Sequence, residues 1–377
     1  MIYEDILHTL EKENRLRSIP GKFKGMDLVS NDYMGLGARC REFMEEYRAR
    51  FEDAPMSASA SRLLQRSQSH HNALEALLDS LYGKRSLLFN SGYHANVGAL
   101  SALSLPGTLI VSDKLSHASM IDGIRLGGGD SARFAHNDMT ALRRVMSRKA
   151  ASYRQVVIVT ESVFSMDGDL APLHELIAIK KEYPGTMLYL DEAHAFGVFG
   201  DKGLGLAEHL GVIADIDIII GTLGKAAAGC GAFIAASPAV HDYLLNSARS
   251  FIFSTALPPA VIAWDMLMIE HLIDMRDERR RLHDMSEWFR AELERITGFQ
   301  NPSRSQIIPV HAGSAEKAIE MAARFRECGI DALPIRRPTV AAGTERLRLS
   351  LSADLTRENL LHIISTLEMI LTRFRDQ

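Results

Sequence analysis

The chain reads as an α/β protein: a mostly parallel central sheet with helices on both faces, followed by a smaller α+β C-terminal domain. Three observations predict this. Short runs rich in Val, Ile and Leu recur at 86–89, 108–111, 155–160, 187–190, 217–220 and 232–235, and several are apolar throughout, as strands covered on both faces require. Amphipathic segments lie between them; at 71–82, Leu74, Leu77, Leu78 and Leu81 form one stripe that Gly83 stops. Beyond about residue 271 the texture changes to long helices at 270–295, 315–328 and 357–373, with strands only at 306–309 and 346–352. Strands alternating with helices are the pattern of a parallel sheet. The expected organisation is an N-terminal arm at 1–39, a large domain at 40–271 and a C-terminal domain at 272–377.

The 377 residues give room for one large and one smaller domain. A net charge of −4 and a sequence pI of about 6.4 supply no general basic face, which argues against nucleic acid or an acidic membrane as partner. Cys40, Cys230 and Cys328 form no CxxC pair, so neither a zinc site nor a redox pair is expected. The N-terminus carries Glu4, Asp5, Glu11, Lys12 and Glu13, unlike a signal peptide, and no apolar stretch reaches about 18 residues. A cytoplasmic protein is expected.

In such a sheet, functional groups gather where strands end. The run 187–190 delivers Asp191, Glu192, Ala193 and His194; the run 217–220 delivers Gly221, Thr222, Leu223, Gly224 and Lys225; the run 108–111 leads to Ser112, Asp113 and then His117. Taken singly, each has an ordinary explanation: a solvated lysine, a helix-capping aspartate, a structural histidine. Together they fit one chemistry. Glycines beside Lys225 let it approach a ligand closely, and a carboxylate at a neighbouring strand end can keep a ring nitrogen protonated. A Schiff-base lysine with an aspartate for the pyridinium nitrogen is the recurring arrangement of pyridoxal-phosphate sites. DEAH also names a helicase box, but that chemistry needs a preceding GxxxxGK[ST] loop; here Gly224 and Lys225 follow the box and are succeeded by Ala226.

A series of blocks stands in order: SNDYMGLG at 30–37, SRL at 61–63, His71 with ALE at 73–75, SGYHAN at 91–96 and DKLSHAS at 113–119. ESVFSMDGD at 161–169, DEAHAFGVFG at 191–200, GTLGK at 221–225, FSTALPP at 253–259, IRRPTV at 335–340 and RLRLSLSA at 346–353 complete it. This series resembles the α-oxoamine synthase family of pyridoxal-phosphate enzymes nearly end to end. The resemblance implies the aminotransferase-like fold, type I among such enzymes, and pyridoxal 5'-phosphate held as a Schiff base on Lys225. It further implies Asp191 on the pyridinium nitrogen, His194 on the ring hydroxyl, His117 stacked on the ring and Ser162 near the ring hydroxyl. The phosphate is expected on the amides of Gly92 and Tyr93, where a turn opens into a helix, with Thr222 adding a hydroxyl. Ser254 and Thr255 are expected to act from the partner subunit, across a homodimer interface.

For substrate, the resemblance points to Arg348 as the carboxylate-binding group, with Arg336 the weaker second candidate and Asn31 a further substrate-binding residue. Alternation in the RLR strand puts Arg346 on the same face as Arg348. FSTALPP favours the branch of the family that condenses L-alanine with a pimeloyl thioester, with loss of CO₂, to 8-amino-7-oxononanoate in biotin synthesis. Glycine condensation with acetyl- or succinyl-CoA, serine palmitoyl transfer and, further off, an aminotransferase are the alternatives. Where the family has GSGGSR this chain has Ser57, Ala58, Ser59, Ala60, Ser61 and Arg62; Arg66, Arg337 and Leu355 are further departures. They fall on loops expected at the acyl entrance and leave the acyl carrier, coenzyme A or acyl carrier protein, open.

Overall fold

The computed structural model describes residues 2–375. Two compact units emerge. One comprises residues 34–164 with 170–279; the other comprises the N-terminal residues through Tyr33, Ser165–Asp169 and the C-terminal residues from Arg280.

The first unit is built on seven strands: β1 (Arg85–Phe89), β2 (Thr108–Asp113), β3 (Asp130–Phe134), β4 (Gln155–Glu161), β5 (Thr186–Asp191), β6 (Ile218–Thr222) and β7 (Ala232–Ala236). Their order in the sheet is β1-β7-β6-β5-β4-β2-β3. Pairing is parallel from β6 through β5 and β4 to β2 and β3, whereas β7 runs antiparallel to both β6 and β1. Val157, Val159, Tyr189, Ile218, Ile220 and Ile234 pack one face against Ala95, Ala99, Leu100 and Leu103 of helix Gly92–Leu103. All six apolar runs form strands, within two residues of the expected bounds. The seventh, β3, is an edge strand of sequence DSARF whose exposed, polar composition carries no such signal.

Two consequences position the site. Parallel strands end together, so Asp113, Glu161, Asp191 and Thr222 lie at one end of the sheet. Because β7 turns back beside β6, the hairpin loop 223–231 that holds Lys225 opens at that same end. The segment 270–295 was expected as one helix and is two, Pro259–Asp274 and Arg276–Thr297. Arg279 explains the break at Met275: its guanidinium takes the freed carbonyls of Leu272 and Ile273, and also those of Gly200 and Asp201.

The second unit holds a three-stranded antiparallel sheet of β8 (Ile307–His311), β9 (Leu333–Ile335) and β10 (Arg346–Ser350), in the order β9-β10-β8, with helices Ala315–Glu327 and Arg357–Arg375. Leu347, Leu349, Phe325, Ile363 and Leu367 are buried in its core. The N-terminal residues through Tyr33 group with this unit: Met26 and Asp27 pair in parallel with Ile330 and Asp331, and the Leu28 and Tyr33 carbonyls accept from Ser350 and Ala353. Among the described residues, no helix is long and apolar enough to cross a membrane.

Candidate active site

Asp191 ends β5 and is nearly buried. Its Oδ1 accepts the Ala193 N–H at 2.9 Å and its Oδ2 accepts Nδ2–H of Asn96 at 2.8 Å. Asn96 is fixed in turn, because the Tyr189 hydroxyl donates to its Oδ1 at 2.7 Å and its Nδ2 also reaches Ser119 Oγ at 3.0 Å. Ser119 Oγ stands 2.7 Å from His117 Nδ1. Hydrogen bonds thus run from strand β5 through helix Gly92–Leu103 to His117, which caps helix Ala118–Gly127 and stays exposed. Loss of water around its ring lowers the His117 pKa, an effect the Asp191 carboxylate opposes and Lys225 reinforces.

His194, three residues past Asp191, places Nε2 3.0 Å from Lys225 Nζ. The four residues that carry the expected chemistry are therefore in one cluster of the first unit.

Sequence reading passed over three residues of this cluster. Glu161 ends β4 directly opposite Asp191. Burial, and then the Asp191 charge, push its carboxyl well above the usual carboxylate range, which favours its neutral form. Its position at a strand end in register with Asp191 was the available signal. Asn96 and Tyr189 could be placed only once helix and strand were seen to meet. Glu192 also lies here; burial raises its pKa to about 7, and its carboxyl accepts from the amides of Leu206 and Ala207.

The expected phosphate cradle is recognisable by what it excludes. Ser91 caps helix Gly92–Leu103, and a Cβ on Gly92 would stand 2.6 Å from Thr222 Cγ2, so only glycine allows the helix start and the end of β6 to meet. Thr222 gives its hydroxyl to the Ala193 carbonyl at 3.3 Å. The Tyr93 ring turns outward, its hydroxyl on Asp122 Oδ2. Ser162 is fully buried and donates to the Asp191 carbonyl at 3.3 Å, which ties it to the backbone behind the acid. Ser254 is half-buried and Thr255 exposed, with the Thr255 carbonyl accepting from Asn90 Nδ2 at 2.8 Å. Asp113 serves structure: it accepts from the Leu115 and Asn137 amides and from His136.

The substrate candidates lie in the second unit. Arg348 is 4 % exposed; its guanidinium donates to the Ser165 carbonyl (2.6 Å), Ser350 Oγ (2.7 Å), Asn31 Oδ1 (3.0 Å) and the Tyr33 hydroxyl (3.1 Å). All four partners are neutral, and Arg348 forms no ion pair among the described residues. Arg346, on the same face and equally buried, is ion-paired with Asp167. Arg336 donates to the Asn14 carbonyl at 2.6 Å, and burial and nearby Arg17 lower its pKa.

A primary amine, a histidine, a strand-end carboxyl and a glycine-edged helix start are the donor set that pyridoxal phosphate needs, so these residues fit that cofactor. Residues 24–367 match the family described as Aminotransferase class I and II. The 8-amino-7-oxononanoate synthase of Chlorobaculum parvum is 45% identical over 351 residues, 92% of this chain and 89% of that protein. Among solved structures, Sphingomonas wittichii serine palmitoyltransferase superposes with a TM-score of 0.87 at 29% identity, covering 98% of this chain and 96% of that one. An 8-amino-7-oxononanoate synthase from Francisella tularensis gives 0.77 at 27% identity, covering 93% and 98%.

Proposed function

Because the chain belongs to the aminotransferase class I and II family, with the fold of its pyridoxal-phosphate enzymes, we propose that it condenses L-alanine with a pimeloyl thioester to 8-amino-7-oxononanoate, releasing CO₂ and the thiol. The observation that carries this reading is 45% identity across nearly the whole chain to a synthase of that name. The serine palmitoyltransferase likeness is lower in sequence and fits less well.

The bound cofactor supplies an electron sink for the charge left at the alanine Cα. The protein's own residues do the rest. Lys225 Nζ would hold the cofactor, and its amine is the group that would take the alanine Cα proton as general base and later return one to the product. His194, 3.0 Å away, fixes that amine. Asp191 is assigned to the ring nitrogen, its two oxygens oriented by the Ala193 amide and by Asn96. Burial and the Asp191 charge both raise the Glu161 pKa, which disfavours a second negative charge there. His117 is assigned to stacking on the cofactor ring. Gly92, Tyr93 and Thr222 are assigned to the phosphate, and Ser254 and Thr255 to the phosphate of the partner subunit's site in a homodimer. Arg348 is assigned to the alanine carboxylate, because a buried guanidinium with only neutral partners still lacks an anion. Asn31 orients Arg348, and Arg336 is the second candidate.

The test is product identification by mass spectrometry, with CO₂ and free thiol followed in parallel. Alanine with pimeloyl-CoA or pimeloyl-acyl carrier protein should yield 8-amino-7-oxononanoate, and the better donor names the carrier. Turnover only with glycine and acetyl- or succinyl-CoA, or with serine and palmitoyl-CoA, would replace this reading with that alternative.

A further inference from the structure

Helix Pro259–Asp274 buries an acid on a face it otherwise fills with Ile262, Met268, Ile269 and Leu272. Asp265 has no exposed surface. Its Oδ1 accepts the Cys230 N–H at 2.8 Å, and its Oδ2 meets no partner among the described residues. Gly229 makes room for this contact, since a Cβ there would lie 2.0 Å from Oδ1. The adjacent Trp264 donates its Nε1–H to the Ala228 carbonyl at 3.0 Å.

Both contacts fall on the returning limb of the loop that carries Lys225. The loop closes on itself through Leu223 N to Gly231 O (2.9 Å), Gly229 N to Leu223 O (2.8 Å) and Ala228 N to Lys225 O (2.9 Å). Ala228 sits at φ 49°, a left-handed conformation that a non-glycine residue keeps only when its surroundings impose it. We propose that Asp265, with Trp264, is a positioning residue for Lys225: the pair grips residues 228–230 and thereby sets where the lysine amine stands against His194. A leucine at this helix position would fill the space but offer no acceptor, and an unmet amide at Cys230 would loosen the limb.

The charge state is consistent with the role. Burial drives the Asp265 carboxyl from its ordinary 3.8 up to about 8, so at neutral pH it accepts a hydrogen bond without placing a negative charge under the lysine loop. The titratable group facing it is the Cys230 thiol, which burial and Asp265 both push upward.

This inference rests on Lys225 being the cofactor lysine, and the experiment separates the two. Cofactor-loaded wild type, Asp265→Ala, Asp265→Asn and Trp264→Phe are compared by amide hydrogen exchange and by the pH midpoint of the cofactor's visible absorption change. Asp265→Ala should speed exchange at 226–230 by about tenfold and shift the midpoint by more than about half a pH unit. Its kcat should fall about tenfold while the alanine KM stays within about twofold. Asp265→Asn keeps the acceptor and should restore both readouts; Trp264→Phe should loosen the same limb in part. Unchanged exchange and midpoint in Asp265→Ala overturn the inference; should that variant not fold, the same result in Trp264→Phe does so. Borohydride fixing the cofactor to another lysine would instead refute Lys225, whereas fixation at Lys225 with unmoved readouts would refute the positioning role alone.

Discussion

The two sheets handle buried charge in opposite ways. In the seven-stranded sheet, the exposed edge strand β3 aside, no strand interior carries a charge, and Asp113, Glu161 and Asp191 appear only at the last position of β2, β4 and β5. There, loop amides and neighbouring side chains can reach them. In the three-stranded sheet Arg346 and Arg348 sit within β10 itself, alternating with Leu347 and Leu349. A parallel sheet covered on both faces has no place for an ion before its strands end, whereas an antiparallel sheet can give one face to polar groups. The first arrangement converges groups from several strands and suits multi-residue chemistry. The second repeats one type of group at a fixed two-residue spacing, and the two arginines then diverge by partner: Arg346 has Asp167, Arg348 has only neutral acceptors.

The comparison breaks most visibly at Lys225. Lys225→Ala should lower kcat by about 10⁴-fold or more, because nucleophile and general base vanish together, while cofactor still binds. Borohydride treatment of the wild type should fix the cofactor to Lys225 and, in the variant, to no residue; label on another lysine would dissolve the strand-end cluster as the catalytic region. Asp191→Asn comes next. The amide cannot hold a ring nitrogen protonated, and its NH₂ would oppose either the Ala193 amide or the Asn96 Nδ2–H. Exchange of the alanine Cα proton with solvent should slow by roughly 10²-fold, with cofactor retained. Wild-type exchange would show that this acid is structural.

The arginines sharpen the contrast. Arg348→Ala should raise the alanine KM and lower kcat/KM by roughly 2–4 kcal/mol, the range for truncating one partner of a buried charge pair. Arg346→Ala should leave kcat/KM nearly unchanged. The structure adds a cost that alternation alone did not reveal: Asp167 loses its ion partner, so thermal unfolding should show a loss of about 1–3 kcal/mol. The reverse kinetic order would exchange the two roles.

The smallest effect concerns pH. Glu192 has its pKa raised from 4.5 to about 7 in the folded protein, so between those values the folded state binds a proton that the unfolded chain has released. Stability from this group is fully present below about pH 4.5 and declines as pH rises through about 7, by a few kcal/mol at most. Glu161 and Asp265, also raised, act in the same direction. Urea unfolding from pH 5 to 8 should show a steeper decline in the wild type than in Glu192→Gln; equal slopes would mean that Glu192 is ionised throughout.

The apolar runs announced the buried strands because such strands have no polar face to hide them. What they could not announce was direction: AFIAA of β7 is as apolar as its parallel neighbours, and its reversal depends on the loop 223–231 and its partner strands. The break at Met275 was equally hidden, since neither Gly nor Pro marks it and its cause, Arg279, acts by tertiary contact. At the site, Lys225, Asp191 and His194 were legible as strand-end residues and through their motifs. Asn96 was legible only as part of SGYHAN, because its role depends on Tyr189, distant in sequence, donating to it. Asp265 carried no signal, being a lone acid in an apolar helix whose purpose lies in another loop.

The reversal of β7 also dictates when this protein can become functional during synthesis. Strand β1 borders only β7, with Arg85 opposite Ala236, so it is made first of the seven and acquires its neighbour last. At ordinary ribosomal rates that interval is on the order of 10 s. Throughout it the edge of β1 awaits its partner, and for most of it Gly92 has no Thr222 to meet. A chain interrupted before residue 232 would hold most of the site's motifs but not the strand that closes the lysine loop, so cofactor capture should follow the completion of this sheet.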